Sequence, residues 1–152
     1  MNKVKLMPVA RVSLMIRRPR RECFLAFTDP EMLARFWMHE AGDQMVEEGA
    51  ILHWQTRPDA DPITVECREC RPDTLLRLQM SNGVRIMVTL DRHEDGGTLV
   101  HYCECGFGPD ARAEDVAEAT QAAAHMLMSL KTLLETGKDQ DTTDRPVMPH
   151  AA

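Results

Sequence analysis

Four of the five cysteines fall in two short motifs, CREC (Cys67, Cys70) and CEC (Cys103, Cys105). Four thiols invite a zinc reading. A zinc knuckle, however, sets C-x-x-C on a tight turn so that both sulfurs converge. Here each motif lies in an extended, strand-like run. A regular strand sends Cys67 and Cys70 to opposite faces unless a bulge intervenes. Cys103 and Cys105 share a face, the outer one, with Leu99 and His101. The expected meander also puts two other strands between the motifs. Reduced structural thiols, with no metal and no cofactor, are the expectation.

Glu104 is the most informative charged residue. In register with Val100, it and Tyr102 should face inward. A carboxylate against apolar walls needs pairing or protonation, and it then becomes a weak candidate for acid–base work or for binding a ligand amine. The alternative, favoured by its nearness to Gly106, is a solvated residue at a frayed strand end. Tyr102 and Trp54 are the other polar-tipped residues expected to point inward. They could orient a ligand carbonyl or hydroxyl, although a satisfied core aromatic is the favoured reading for Trp54. The six histidines show no metal-ligand spacing. His39 follows Trp37 and could line a cavity mouth. No G-x-S-x-G motif or phosphate-binding glycine loop occurs, and GDQMVEEG is too acidic to cradle a phosphate.

The elements that must position these groups are legible in the hydrophobic periodicity. VARVSLMIR alternates as a strand. PRRECFLAFT reads as a short helix starting at Pro19. PEMLARFW reads as a second, capped by Thr28 or Asp29 with Pro30 in its first turn. The residue before a proline avoids helical backbone, so the two helices meet at a corner. The middle gives strands ending at Trp54 and running through ITVECREC, TLLRLQM, VRIMVTLD and TLVHYCEC. Short turns join them into an antiparallel meander. A long helix follows from about Asp110 to Thr136, closed by Gly137. Its apolar arc runs through Val116, Ala119, Ala123, Met126, Leu127, Leu130, Leu133 and Leu134. Residues 1–137 form one domain in this reading, and 138–152 a polar, disordered tail.

Charge and composition exclude several classes. The chain of 152 residues carries a net charge of −6. Its basic stretch, RRPRR, lacks interleaved aromatics and reads as a solvated strand-to-helix turn, so no nucleic-acid partner is expected. No apolar run is long enough to span a membrane, and the first residues interleave Lys and Arg with apolar residues, unlike a signal peptide. The expected location is the cytoplasm. Met is plentiful, which suits adaptable apolar space.

The order of elements, with FTDPEMLARFW, EDGGTLVHY and LKTLLETG, resembles the SRPBCC superfamily. The likeness is to the branch named after the activator of the heat-shock chaperone ATPase, and it covers roughly residues 9–137. It implies an α+β helix-grip fold, in which a curved antiparallel sheet wraps a long C-terminal helix and two short helices follow the first strand. Members of the branch often carry Gly-Trp near the middle of the last helix, where this chain has Ala122, Ala123 and Ala124. Either the interior is larger here or side chains such as Met126 fill it.

The resemblance implies a cavity between sheet and helix, with Phe36 and Trp37 over its mouth. The expected lining is Phe36, Trp37, His39, Trp54, Leu78, Met80, Ile86, Val88, Tyr102, Ala123, Met126 and Leu127. The leading expectation is a binding protein for a small apolar or amphipathic molecule, as a monomer or homodimer. A cyclase, hydrolase or isomerase on the same cavity, and a co-chaperone-like interaction module, are the alternatives.

Overall fold

A computed structural model of the chain describes residues 7–140. Lys3, Lys5 and residues 141–152 of the expected tail lie outside the described residues. The element order is β1 (Ala10–Ile16), α1 (Arg20–Thr28), α2 (Pro30–Phe36), β2 (Ile51–Trp54), β3 (Ile63–Arg71), β4 (Leu75–Met80), β5 (Arg85–Arg92), β6 (Thr98–Cys105) and α3 (Ala113–Thr136). The six strands form one antiparallel sheet in the order β1-β6-β5-β4-β3-β2. This is the expected α+β helix-grip arrangement.

Strict alternation on the central strands builds the core face. Thr98, Val100, Tyr102 and Glu104 of β6 are buried, as are Ile86, Val88 and Leu90 of β5 and Leu76, Leu78 and Met80 of β4. The apolar stripe of α3 closes over this face through Ala119, Ala122, Ala123, Met126, Leu127, Leu130 and Leu133. Lys131 and Glu135 fix the helix to the first strand and its exit. Lys131 Nζ donates to the Met15 carbonyl at 2.9 Å, and Glu135 accepts the Arg17 N–H at 3.0 Å. The helix starts three residues later than expected, where Asp115 accepts the Arg112 backbone N–H at 2.9 Å.

The corner between α1 and α2 is built locally. Pro19 precedes α1 as its N-cap, and Asp29 serves α2, its side chain accepting the Glu31 N–H at 2.9 Å. Thr28 is not the cap; its hydroxyl donates back to the Phe24 carbonyl at 3.1 Å. After α2 the chain leaves helical geometry at Trp37 (φ −128°, ψ −54°). Beyond Gly137 the chain returns along α2, where Arg35 meets Asp139 at 2.7 Å and the Gln140 N–H donates to the Arg35 carbonyl.

Candidate functional site

Trp37 is the hub of the interior aromatics. Its ring centroid lies 6.0 Å from Phe27, 6.4 Å from Phe36, 5.6 Å from Trp54 and 6.0 Å from Tyr102. Trp54 sits on the edge strand β2 and Tyr102 on β6, four strands away. In a flat sheet that separation is about 19 Å. One indole touches both, so the sheet curls around the helical corner.

Two polar features sit within this apolar surround. The Tyr102 hydroxyl donates to Glu104 Oε1 at 2.6 Å. Each of the two residues is 2% exposed. On the core face Glu104 is flanked in register by Ala10 of β1 and Ile86 of β5. Burial first, then the Glu104 charge and its hydrogen bond, hold the Tyr102 phenol well above its ordinary 10.0. The second feature is the Trp54 indole, which is fully buried, with no acceptor for its Nε1–H among the described residues.

Glu104 therefore overturns the expectation of a solvated strand end. The reason lies two residues on. Gly106 (φ +85°) approaches the β4–β5 turn so closely that a Cβ there would stand 2.3 Å from the Gly83 carbonyl oxygen. Pairing of β5 and β6 runs to Arg85 and Cys105, so the strand end is covered rather than frayed. Trp54 departs from expectation too: it is a core aromatic, but its polar atom is not satisfied.

The other expected lining residues divide simply. Phe36, Trp37, Leu78, Met80, Ile86, Val88, Ala123, Met126 and Leu127 all belong to the buried core cluster. Leu78 pairs with Ile86, Leu76 with Val88, and Val88 with Tyr102, giving a continuous apolar floor. His39 is half-buried, and its backbone N–H donates to the Gln55 carbonyl at 2.8 Å. Phe27 was not anticipated as a site residue. Its edge-on contact with Phe36, at 5.5 Å, makes it part of the same cluster. Its only sequence signal is its place on the apolar face of α1.

The cysteines are distributed differently from a regular-strand reading. A bulge between Cys67 and Glu69 shifts the β3–β4 register, so that Cys67 faces Leu78 and Cys70 faces Leu76. Both thiols thus lie on the core face. Burial pushes Cys67 up to about 12 and Cys23 up to about 11. Cys103 and Cys105 lie on the opposite, outer face, with two strands between β6 and β3, and no cluster of three or more metal-ligating residues occurs among the described residues. No helix among them is long and apolar enough to cross a membrane.

Several solved structures share this fold. The protein SSP2350 from Staphylococcus saprophyticus aligns with a TM-score of 0.76 at 21% identity, covering 88% of this chain and 96% of that one. The Aha1 dimer from Colwellia psychrerythraea aligns with a TM-score of 0.74 at 19% identity, covering 87% and 99%. CalU16 from Micromonospora echinospora aligns with a TM-score of 0.65 at 16% identity, covering 85% and 77%. Among curated proteins, none matches. The sequence profile of the family described as activator of Hsp90 ATPase homolog 1-like protein matches residues 17–135, from just after β1 to the last turn of α3, and the chain belongs to that family.

Proposed function

We propose that the protein binds a small amphipathic molecule between the sheet and α3, beneath Trp37. The observation that carries this reading is the Trp54 Nε1–H, a fully buried donor without an acceptor among the described residues. Leaving such a group unpaired costs about 1–3 kcal/mol. A ligand carbonyl or hydroxyl oxygen would supply the missing acceptor. The aromatic rings of Phe36, Trp37 and Tyr102 offer the flat apolar walls that such sites use, and the Tyr102–Glu104 pair offers a second polar anchor.

The test begins with native mass spectrometry of freshly purified protein, which detects a co-purified small molecule. Thermal shifts with apolar carbonyl compounds follow. Trp54→Phe keeps a ring and removes the donor. It should lower the stability of the free protein only modestly, because the small cavity it leaves is offset by loss of the unpaired donor, and weaken binding about tenfold, equivalent to ~1.4 kcal/mol. Unchanged binding in Trp54→Phe would sink the assignment.

A second reading has its own support. A buried carboxyl hydrogen-bonded to a buried phenol is a usable acid–base pair. If the cavity is catalytic, Glu104→Gln abolishes turnover of a bound compound while leaving its thermal shift in place. Loss of both would assign Glu104 to binding. A ligand-free chain that stimulated a chaperone ATPase would instead place it with the activity named in the family description.

A further inference from the structure

The sheet face turned away from α3 carries a groove of about 620 Å³, with Arg68, Arg77 and Arg85 around it and Met87, Cys103 and Cys105 in its walls. The register defines the neighbours of each thiol. Cys103 stands between Arg11 of β1 and Met87 of β5, and Cys105 stands opposite Arg85. Side chains directly opposite across an antiparallel pair have Cβ atoms about 5 Å apart. Each outer-face cysteine therefore has an arginine as a cross-strand neighbour. Arg68 meets Glu66 at 3.4 Å and Arg77 meets Glu69 at 3.2 Å, whereas Arg85 has no ion-pair partner among the described residues. The charged residues lining the groove are all arginines, and Arg85 is the one left without an ion-pair partner among the described residues, in a chain whose net charge is −6.

We propose that this groove is a thiol-modification site, in which an anionic low-molecular-weight disulfide of the glutathione disulfide class docks its carboxylates on Arg77 and Arg85 and exchanges onto Cys105. The Cys105 thiol gives its proton to solvent, and the thiolate sulfur attacks one sulfur of the disulfide. The disulfide bond breaks as the new protein–ligand S–S bond forms. One half of the reagent stays on Cys105, and the other leaves as a thiolate and takes up a proton. Cys105 is oxidised and the departing half is reduced, so no further oxidant is needed.

The position of Cys105 favours it over the other thiols. Cys23 and Cys67 are buried, and Cys70 faces the core beside them. Cys103 lies mid-strand between two paired neighbours, and burial raises its thiol despite Arg11. Cys105 is the last residue of β6, in register with Arg85, which has no ion-pair partner among the described residues. An internal Cys103–Cys105 bridge is disfavoured by geometry. Same-face residues two apart on a strand have Cα and Cβ atoms about 7 Å apart, and a disulfide needs Cβ atoms at roughly 4 Å. The groove lies on the opposite face from the proposed ligand site, so neither reading depends on the other.

The experiment incubates the full folded chain with glutathione disulfide and follows the adduct by intact mass and peptide mapping. One glutathionyl group on Cys105 is expected. Cys105→Ser should abolish it, and Cys103→Ser should leave it. Arg85→Gln and Arg77→Gln, both at exposed positions, should slow the reaction about tenfold while melting like the wild type. With the neutral 2-hydroxyethyl disulfide, the arginine variants should react at the wild-type rate. The proposal is overturned by an adduct on another cysteine, by a Cys103–Cys105 bridge, by no adduct at all, or by arginine variants that change both reagents equally or neither.

Discussion

Tyr102 and Glu104, two residues apart on β6, are joined inside the protein by a 2.6 Å hydrogen bond from the phenol to Oε1. Tyr102→Phe removes this donor from a carboxyl that is buried between Ala10 and Ile86. We expect a loss of about 1.5–3 kcal/mol by urea unfolding. Tyr102→Phe combined with Glu104→Met removes both partners and should cost less than the two single changes added together. The cycle should give a coupling on the order of 1–3 kcal/mol, and strict additivity would show the bond to be energetically idle.

Alkaline stability follows from the same burial. The folded-state values of Tyr102, Cys23 and Cys67 lie above their ordinary values of 10.0 and 9.0. The folded state therefore holds these protons more tightly than the unfolded chain. Their contribution is complete below about pH 9 and is lost as pH rises, at about 1.4 kcal/mol per pH unit for each group titrating. The protein has a single tyrosine, so tyrosinate absorbance reports Tyr102 alone. It should appear together with unfolding, and a tyrosinate signal that precedes loss of the near-ultraviolet dichroism would contradict the assignment.

Trp37 joins the α2 corner to both β2 and β6. Trp37→Ala should cost about 3–5 kcal/mol, since it removes a buried ring and leaves a cavity among four other rings. Trp37→Phe should cost distinctly less. Equal losses in the two variants would show that a phenyl ring recovers none of the packing, and would contradict a cost set by the ring volume removed.

Gly106 and Gly96 share a positive φ, +85° and +87°, but differ in surroundings. Alanine at 96 meets open space and should cost about 1 kcal/mol, the left-handed penalty alone. Alanine at 106 also strikes the Gly83 backbone oxygen. We expect a markedly larger loss there, with increased hydrogen exchange at the β4–β5 turn.

Much of the architecture follows from local rules that act within a few residues. The alternation of β5, the Asp29–Pro30 start of α2 and the stripe of α3 are of this kind. Trp54, Tyr102 and the apolar floor follow from the same alternation. The features missed are those set by contacts distant in sequence. Glu104 is interior because Gly106 packs on Gly83, and periodicity along β6 cannot weigh that contact against fraying. Cys70 turns to the core because of a bulge whose position no spacing rule fixes. Whether the Trp54 indole finds an acceptor depends on strands and helices from across the chain.

The pairing of β1 with β6 also bears on how the chain reaches this state. Ser13 and His101, hydrogen-bonded at 2.7 Å, are 88 residues apart, whereas β2 to β6 are linked by successive hairpins or short turns. The meander can zip from neighbouring contacts, but β1 pairs with β6 and gains that partner after the last strand of the meander exists. During synthesis the first strand must therefore wait, with its inward side chains uncovered, until β6 and α3 have left the ribosome.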